Sequence, residues 1–421
     1  MPIADPRALL REAFAVAVAA ADPRSAVAAH LPDPPRGRTV VVGAGKAAAA
    51  MAAAFEHSWP RRCEGIVIVR DGYVRPTRAI EIVEAGHPLP DARGAAATAR
   101  VLDLVRGAGA DDLVVALISG GASALLVAPR PGVSLAEKQA ITRALLNGGA
   151  PIDQINGVRK HLSTVKGGQL AAAASPARVV ALIVSDVVGD DVGVIGSGPT
   201  AADPTTCADA LNILARHRIA VSATIRDGLV SGAWETPKAI AATVDNRIIA
   251  RPAAMLAAVA DWAARQGLSC LNLGDGFDQS AAEIAADHAR RIAAIVSGRA
   301  GPKPPCLVIS GGEAVVTVSG HGTGGPNTEF ALHLALLLGG AHGVYVLAAD
   351  TDGTDGIGGH AGAVIAPETL ARATHAGLDP RRALSNSDSA GVFAALDDLL
   401  VTGPTFTNVN DFRAVLIDAP D

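Results

Sequence analysis

The sequence predicts an α/β protein with a doubly wound sheet, and three observations support this prediction. Short apolar runs rich in Val and Ile recur along the chain, and they end in turns rich in Gly or Asp. Segments rich in Ala and Leu with helical spacing separate these runs. Continuous apolar strands that alternate with helices are typical of a parallel sheet covered on both faces. The length of 421 residues favours at least two domains.

Six strands are predicted in chain order, and each range includes the turn that ends the strand: 39–45, 65–72, 113–121, 178–186, 306–312, with a Ser-Gly-Gly turn at 310–312, and 344–353. The alternation of strands and helices breaks at residues 231–245, and a loop rich in Gly and Pro precedes the fifth strand. We therefore predict an N-terminal domain at residues 1–235 and a C-terminal domain at residues 236–421. Each half contains a strand that ends in Ser-Gly-Gly, which fits either two related lobes or a chance match.

The composition excludes several classes of protein. Hydrophobic residues make up 49% of the chain and charged residues 18%, which supplies a packed core and is atypical of a disordered chain. Asp and Glu number 41 against 36 for Lys and Arg, so we expect no nucleic-acid partner. Since no apolar run approaches the ~20 residues of a spanning helix, we expect no membrane partner.

The cysteines and the N-terminal residues predict a cytoplasmic protein. The four cysteines lie far apart without a CxxC pair, which favours neither a disulfide framework nor a thiolate zinc site. The eleven histidines show no zinc-ligand spacing. Asp5, Arg7, Arg11 and Glu12 stand where a signal peptide would be apolar.

The turns after the predicted strands are the candidate sites, because ligands of open α/β sheets bind outside the carboxyl ends of strands. The first turn carries Gly43, Gly45 and Ala48 in the dinucleotide pattern G-x-G-x-x-A. Lys46 is predicted in the first turn of the next helix, where its charge opposes the helix dipole. The chain has six lysines and 30 arginines. We therefore interpret Lys46 as the partner of a bound carboxylate or phosphate, with a solvated lysine as the alternative.

The turn after the third strand contains Ser119, Gly120, Gly121 and Ser123. Small residues at such a turn allow backbone N–H groups to approach an anion. The pattern therefore predicts an anion-binding turn. Tight packing between strand and helix is the alternative explanation for the small residues.

Three carboxylates follow the fourth strand at Asp186, Asp190 and Asp191, before a Gly-Ser-Gly-Pro-Thr turn at 196–200. Carboxylates beside such a loop suit Mg²⁺ held together with substrate phosphates. For any single Asp, capping of a helix is the alternative.

The second half repeats an acidic strand end with Asp350, Asp352 and Asp355. The start is similar to a calcium-binding loop, but the twelfth position is Ala361 rather than Glu, which disfavours calcium. Turn formation by Asp-Gly pairs is the alternative to a ligand site.

A cationic stripe is predicted on a helix that spans residues 155–171. Asn156, Arg159, Lys160 and Lys166 occur there at near-helical spacing, before and at a Gly-Gly stop. These side chains are candidates to bind an anionic ligand, and a solvated helix face is the alternative.

Several long motifs in the same order make the chain resemble the class II glycerate kinases, the glycerate 2-kinase family with a C-terminal MOFRL domain. They are VVGAGKAA, EAGHPLPD, SGGASALL, NGVRKHLSTVKGGQLA, SDVVGDD with IGSGPT, ISGGEAVVTV, GGPNTEFAL, DTDGTDG and TGPTFTNVND. The resemblance implies a Rossmann-like N-terminal domain with a parallel sheet and a smaller α/β C-terminal domain, with the active site in the cleft between them. It also implies a cytoplasmic enzyme that phosphorylates the 2-hydroxyl group of D-glycerate with ATP and Mg²⁺.

We assign roles within this resemblance. Lys46 and either Asp186 or Asp190 are the predicted catalytic residues. The predicted substrate-binding residues are Ser119, Gly120, Gly121, Ser123, Asn156, Arg159, Lys160 and Lys166. The predicted nucleotide-binding residues are Gly43, Gly45, Ser310, Gly311, Gly312, Glu313, Asn327, Glu329, Asp350 and Asn410. The predicted Mg²⁺ ligands are Asp190, Asp191, Asp350 and Asp352.

Three residues depart from the family pattern. Ala122 stands where the family has a third glycine, and Pro326 and Thr328 stand where the family has Arg and Gln in GGRNQEF. An arginine there would bind a phosphate or carboxylate through two hydrogen bonds, whereas proline has no donor. The preferred hydroxy acid is therefore left open.

Two other functions are kept as alternatives. The first is an NAD(P)H-dependent hydroxypyruvate reductase, which rests on Gly43, Gly45 and Ala48 and needs an acidic residue such as Asp71 for the ribose. The second is a catalytically weakened member of the family that only binds hydroxy acids, which the lost arginine favours. A homodimer is the predicted assembly.

Overall fold

The computed structural model describes residues 3–419, which form two compact units. The unit we call the parallel-sheet unit is Pro23–Ile249. The unit we call the mixed-sheet unit combines the described residues up to Asp22 with those from Ala250 onward. The domain limits 1–235 and 236–421 stay a prediction. In the structure, the helix at Pro6–Ala20 belongs to the same compact unit as the C-terminal half of the chain.

The strands of the described residues form two six-stranded sheets. They are β1 (Thr39–Ala44), β2 (Glu64–Arg70), β3 (Ile80–Ala85), β4 (Leu113–Ile118), β5 (Arg178–Val184), β6 (Val244–Ala250), β7 (Ser269–Asn272), β8 (Cys306–Gly312), β9 (Val344–Asp350), β10 (Gly362–Ile365), β11 (Leu399–Leu400) and β12 (Asp411–Ile417).

The helices of the described residues are α1 (Pro6–Ala20), α2 (Pro23–Ala29), α3 (Ala48–Ser58), α4 (Ala92–Arg106), α5 (Ala122–Leu125), α6 (Leu135–Asn147), α7 (Ile152–His161), α8 (Gln169–Ala173), α9 (Cys207–Arg216), α10 (Ala223–Val230), α11 (Pro252–Arg265), α12 (Ala281–Val296), α13 (Pro326–Leu338), α14 (Thr369–His375), α15 (Pro380–Ser385) and α16 (Ser389–Ala395). A 3-10 turn lies at Ile195–Ser197.

The parallel-sheet unit confirms the α/β prediction. Its strand order is β3-β2-β1-β4-β5-β6, and the pairs from β3 to β5 are parallel. Every residue of β1 and β4 is buried. Since a central strand of such a sheet is covered on both faces, it needs apolar residues at each position rather than at alternate ones.

This strand order creates a point where the chain changes direction across the sheet. After β1 the chain builds β2 and β3 on one side, and it then crosses to build β4 and β5 on the other side. The crossovers after β1 and β4 therefore leave the sheet in opposite directions. A crevice forms between them at the carboxyl edge, which is where open α/β sheets bind ligands.

The sheet of the mixed-sheet unit is not parallel, so the parallel prediction was wrong for this half. Its order is β11-β10-β9-β12-β8-β7, and β12 runs antiparallel to both β8 and β9. β12 is buried at every position. A strand covered on both faces reads as a continuous apolar run whatever its direction, so the apolar pattern alone could not reveal the antiparallel pairing.

The antiparallel direction of β12 brings several polar residues to one sheet edge. Asp411, its first residue, pairs with Gly312 at the end of β8 and with Asp350 at the end of β9. Residues 310–312 are the paired end of β8, so the prediction of a Ser-Gly-Gly turn at this position was wrong. The ladder with β12 continues to the last glycine and leaves these residues no freedom to form a turn.

Helix α1 packs within the mixed-sheet unit. The rings of Phe14 and Phe412 lie 6.2 Å apart, and Arg7 Nη1 lies 2.5 Å from Asp398 Oδ1. The side chain of Asp5 caps the helix by accepting a hydrogen bond from the N–H of Ala8. These distant pairings were not visible in the sequence, because no local pattern relates α1 to β12.

The helix predicted at residues 155–171 is two shorter helices. α7 ends at His161, and α8 begins only at Gln169. Gly167 and Gly168 have φ values of +57° and +80°, which right-handed helices do not allow. Lys166 therefore lies on the connection between helices rather than on the predicted helical stripe.

No helix among residues 3–419 is both long enough and apolar enough to cross a membrane.

The Gly45→Ala substitution tests how tightly the β1 and β4 turns pack. Gly45 has φ +133°, and a Cβ there would lie 2.1 Å from Ser119 Oγ. We expect the substitution to lower the free energy of unfolding by more than about 2 kcal/mol, measured by urea denaturation. Gly72→Ala is the matched control, since its φ is +83° and no atom lies within 4 Å of the new Cβ. The control should cost only about 1 kcal/mol of backbone strain, and an equal loss in both variants would contradict the packing argument.

Candidate active site

The turns after β1 and β4 interlock at the crevice of the parallel-sheet unit. The N–H groups of residues 45–48 all donate to protein acceptors at 2.8–3.2 Å. Among them, Lys46 N–H donates to the carbonyl of Gly120 and Ala47 N–H donates to Ser119 Oγ. Ser119 and Gly120 therefore fix the backbone around Lys46.

These hydrogen bonds argue against a dinucleotide site. A dinucleotide fingerprint leaves its amides open for a pyrophosphate, whereas the amides here are occupied. Gly43 lies inside β1, where a Cβ would lie 2.1 Å from the carbonyl oxygen of Leu117. Packing therefore accounts for Gly43 and Gly45. The position predicted for Lys46 in the helix was also wrong, because α3 begins at Ala48.

Two basic side chains flank Gly121. A Cβ at Gly121 would lie 3.0 Å from His87 Nε2 and 3.5 Å from Lys46 Cγ. The φ of +84° and this crowding explain the glycine. His87 was not predicted as a site residue, although it lies in the EAGHPLPD motif. That motif was the available signal.

Ser123 lies at the centre of a group of polar side chains. Arg159 Nη2 donates to Ser123 Oγ at 2.5 Å, and the hydroxyls of Ser123 and Ser197 lie 2.7 Å apart. Lys166 Nζ donates to the carbonyls of Ser123 and Leu126 at 2.8 and 3.1 Å. Residues from α5, α7, the connection to α8 and the 3-10 turn therefore meet at one hydroxyl group.

The cations of this group have no carboxylate partner. Lys138 and Lys166 are buried and Arg159 is half-buried, and no carboxylate of residues 3–419 forms an ion pair with any of the three. Burial, together with the charges of Arg159 and Arg130, lowers the pKa of Lys138 to about 7. Burial and its neighbouring cations lower the pKa of Lys166 well below its ordinary value. An anionic ligand would compensate this charge.

Lys160 is placed differently from Arg159 and Lys166. Its Nζ lies 3.2 Å from Asp203 Oδ1, and both side chains are buried. Asp203 also accepts hydrogen bonds from the hydroxyls of Thr205 and Thr236. The pair is internally compensated, so the structure favours a structural role for Lys160. Asn156 is buried on α7.

The acidic segment after β5 folds back on the β4 turn. Asp191 Oδ1 accepts the N–H of Gly193 at 2.7 Å, which closes a local turn. Asp190 adopts φ +56°, and Asp186 is half-buried two residues after the end of β5. The contact between Ser197 and Ser123 ties the following turn to the cation group. Asp186 and Asp190 thus follow β5 at the carboxyl edge, whereas Asp191 serves the local turn.

The replacement of a family glycine by Ala122 is accommodated. Ala122 is the first residue of α5 and is buried, while Gly121 before it adopts the left-handed conformation. A helical position does not require glycine. The Ala122 side chain packs beside Gly196, where a Cβ would lie 3.1 Å from the Ala122 Cβ.

In the mixed-sheet unit, Asp355 caps the start of α13. Its two carboxylate oxygens accept the N–H groups of Asn327 and Thr328 at 2.9 and 2.8 Å. Thr328 Oγ1 adds a hydrogen bond to Asp355 at 2.8 Å. Thr328 therefore stabilises the helix start, and Pro326 occupies the first helical position, where an N–H is not needed.

A buried polar network surrounds Asp411. Asn327 Nδ2 donates to its Oδ1 at 2.5 Å, and Arg413 Nη2 donates to its Oδ2 at 2.5 Å. Arg413 Nη1 also donates to the carbonyl of Gly311. Burial raises the pKa of Asp355 to about 6, against the hydrogen bonds from Asn327 and Thr328, which lower it.

Two amide atoms in this region lack a partner among residues 3–419. They are Asn327 Oδ1 and Asn410 Nδ2, both buried. Since buried polar atoms are almost always hydrogen-bonded, these two atoms are candidate ligand contacts. Nearby, Asp350 Oδ1 accepts the N–H of Asp352, whose Oδ1 accepts the N–H of Thr354. Each of these carboxylates uses one oxygen to shape the turn after β9.

The remaining predicted residues are more peripheral. Ser310 is buried in β8, where its Oγ lies 2.9 Å from His288 Nε2. The backbone of Glu313 donates to the carbonyl of Phe277, and its side chain is exposed. Glu329 is half-buried on α13, and burial raises its pKa.

The structure therefore forms two separate groups from the predicted residues. The group in the parallel-sheet unit contains Lys46, Ser119, Gly120, Gly121, Ser123, Arg159 and Lys166. The group in the mixed-sheet unit contains Gly312, Asn327, Asp350 and Asn410, around Asp411.

The fold is that of an α/β protein, and a group of cations without carboxylate partners among residues 3–419 lies in its parallel-sheet unit. A family model described as a domain of unknown function, DUF4147, matches residues 9–230, and the MOFRL family model matches residues 306–411. The chain belongs to this family, in which the two domains are combined.

Some curated relatives are named as reductases and others as kinases. An Agrobacterium vitis protein provisionally named hydroxypyruvate reductase is 50% identical over 98% of this chain and 94% of its own length. The D-glycerate 2-kinase of Thermotoga maritima is 40% identical over 98% of this chain and 99% of its own length.

Two solved structures share the fold. The crystal structure of glycerate kinase from Thermotoga maritima superposes with a TM-score of 0.88 at 38% identity, over 97% of this chain and 99% of that chain. A Pyrococcus horikoshii protein gives a TM-score of 0.81 at 33% identity, over all of both chains.

Proposed function

We propose that this protein is a glycerate 2-kinase, which transfers the γ-phosphoryl group of ATP to the 2-hydroxyl group of D-glycerate. The products are 2-phosphoglycerate and ADP. The observation that carries the proposal is the pair of Arg159 and Lys166 at Ser123, with Lys138 nearby, because these cations lack carboxylate partners among residues 3–419. The names of the relatives from Thermotoga maritima and Pyrococcus horikoshii support the same activity.

The carboxylate of the hydroxy acid is the anion that this group binds. Arg159 has the planar donor arrangement that suits a carboxylate, and the Ser123 hydroxyl already holds it in place. Lys166 adds positive charge but donates to two backbone carbonyls, which fixes its position. Arg159 therefore orients the substrate, and Lys166 supplies the surrounding field.

Lys46 acts on the transferred phosphoryl group. Its backbone is fixed by the β4 turn, and its side chain lies beside Gly121 and His87 at the carboxyl edge. Phosphoryl transfer depends mainly on positioning and on stabilisation of charge at the phosphoryl oxygens. Asp186 or Asp190 accepts the proton that the attacking 2-hydroxyl group loses.

ATP and Mg²⁺ are assigned to the edge of the mixed-sheet unit. Asp350 and Asp352 present carboxylate oxygens, which suit Mg²⁺, and Asn327 and Asn410 present the buried amide atoms that lack protein partners. Bound Mg²⁺ would neutralise charge on the phosphate oxygens of ATP. The other predicted contacts of this edge, such as Gly312 and Glu329, belong to the same proposal.

The cytoplasmic location and the homodimer are also proposals, and they do not rest on the candidate site. The four cysteines are not in disulfides, which is typical of a reducing cytoplasm. The homodimer stays a prediction.

The reductase alternative finds no support in the turn that suggested it. The amides of residues 45–48 are occupied. Asp71, the candidate for the ribose, accepts two hydrogen bonds from Arg93 at 2.7 and 2.9 Å. These contacts favour the kinase, although two curated relatives carry the reductase name provisionally.

The first prediction concerns the reaction itself. With ATP and Mg²⁺, we expect D-glycerate to cause ADP release, which a coupled assay measures. NADH oxidation by hydroxypyruvate is followed in parallel, separate samples. The kinase should release ADP with D-glycerate and leave NADH unchanged. NADH oxidation without ADP release would overturn the proposal. Tight binding of D-glycerate without either product would identify the weakened binding protein, with Pro326 as the cause to test.

The second prediction concerns Lys46. We expect Lys46→Met to lower kcat by about a hundredfold or more, because the lysine meets charge that develops in the transition state. Lys303→Met is the matched control, since Lys303 is exposed in the loop before β8. A folded Lys46→Met protein with unchanged kcat would contradict the role.

A further inference from the structure

Three potential metal ligands that are not among the residues assigned to glycerate converge in the parallel-sheet unit. They are His161 at the end of α7, Cys207 at the start of α9 and Glu235 in the loop after α10. One ligand atom of each lies within 4.8 Å of the other two. His161 and Glu235 are separated by 74 residues, so no local motif could reveal the group.

The orientation of His161 points to a bound cation. Its Nδ1 lies 2.8 Å from the carbonyl of Gly157, which can only accept a hydrogen bond. In the neutral ring Nδ1 therefore carries the proton, and Nε2 directs its lone pair at Glu235 Oε1, 3.1 Å away. Two acceptor atoms this close repel each other unless a proton or a metal ion lies between them. A backbone carbonyl that fixes the second ring nitrogen is also usual for metal-bound histidines.

Glu235 and Cys207 complete a ligand set that suits zinc. The Cys207 amide donates to Glu235 Oε2 at 3.1 Å, which holds the carboxylate beside Cys207. Cys207 is buried at the start of α9, and burial together with the nearby Glu235 raises the pKa of its thiol, so a bound metal ion must displace the thiol proton. Imidazole, thiolate and carboxylate together favour a borderline-soft ion over Mg²⁺.

The surrounding backbone is fixed before any ion binds. Arg130 donates to the carbonyl of His161 at 3.1 Å and to the carbonyl of Trp234 at 2.9 Å. Arg130 therefore holds both His161 and the residue before Glu235. His161 Nε2 and Glu235 Oε1 lie 3.1 Å apart, near the separation of about 3.3 Å between two ligand atoms of a tetrahedral zinc ion, and the three ligand atoms together lie within 4.8 Å of one another.

We propose that His161 Nε2, Cys207 Sγ and the Glu235 carboxylate bind one Zn²⁺ ion, with a water molecule as the fourth ligand. The ion would join the end of α7 to the start of α9 and to the loop after α10. Binding displaces the thiol proton of Cys207 into solvent, so the affinity rises with pH. The proposal does not depend on the kinase activity.

Lys238 competes with the ion for Glu235. Its Nζ lies 2.8 Å from Glu235 Oε1, and its side chain is 41% exposed. Because the side chain is this exposed, it can move away when the ion binds. Removal of the Lys238 charge should therefore tighten metal binding. If His161 and Glu235 instead form a simple ion pair, the protein should not bind the metal ion at this position.

The test is a Co²⁺ titration of the full-length protein after treatment with a chelator. We expect about one equivalent of Co²⁺ to bind with tetrahedral d–d bands and a thiolate charge-transfer band, and Zn²⁺ to displace it. Cys207→Ser should remove the charge-transfer band and weaken binding about tenfold or more. Cys63→Ser is the matched control and should leave the spectrum unchanged. Lys238→Ala should tighten binding about two- to fivefold.

Several results would overturn the proposal. One is a wild-type protein that shows no charge-transfer band, and another is a band that survives in Cys207→Ser. A Lys238→Ala protein that binds Co²⁺ no more tightly would overturn the placement of the ion at Glu235. If Cys207→Ser fails to fold by circular dichroism, Glu235→Gln, at a more exposed position, must weaken binding instead.

Discussion

Positive charge without a carboxylate partner is the constraint around which the parallel-sheet unit is built. Moving an unpaired ammonium group out of water costs several kcal/mol, and the pKa of Lys166 is lowered accordingly. The fold offsets part of this cost with backbone carbonyls, since Lys166 donates to Ser123 and Leu126 and Lys138 donates to Leu162. A carboxylate would supply the remaining compensation, so the same feature that weakens the unliganded protein favours an anionic substrate.

The sheet topology explains why this charge lies where a reaction can use it. The β1 and β4 crossovers diverge at the crevice, and the amides of residues 45–48 bond to the β4 turn rather than to a nucleotide. The turn that resembles a dinucleotide fingerprint thereby becomes a rigid support for Lys46. In the mixed-sheet unit, polar residues also lie together at one edge of the sheet, because the antiparallel β12 brings Asp411 to the ends of β8 and β9.

Local patterns predicted six of the twelve described strands and the turns that carry polar residues, because burial on both faces and backbone chemistry leave a local signal. They also singled out Arg159 and Ser123 as candidate site residues, although not their contact. Pairing direction left no such signal, so the antiparallel direction of β12 was not predicted. Long-range partners were equally invisible: Asp203 neutralises Lys160, and Asp355 occupies the start of α13. Lys160 and Lys166 were both predicted to bind an anion, but a distant carboxylate, Asp203, reaches only Lys160.

The most direct test of this account is the calorimetric dissociation constant of D-glycerate for the wild-type and Arg159→Met proteins. The control is Arg143→Met, because Arg143 is exposed on α6. Loss of a hydrogen-bonded charge to the substrate predicts a dissociation constant at least about tenfold higher for Arg159→Met. The control should bind as the wild type does. An unchanged dissociation constant in a folded Arg159→Met protein would contradict the claim that these cations hold the substrate.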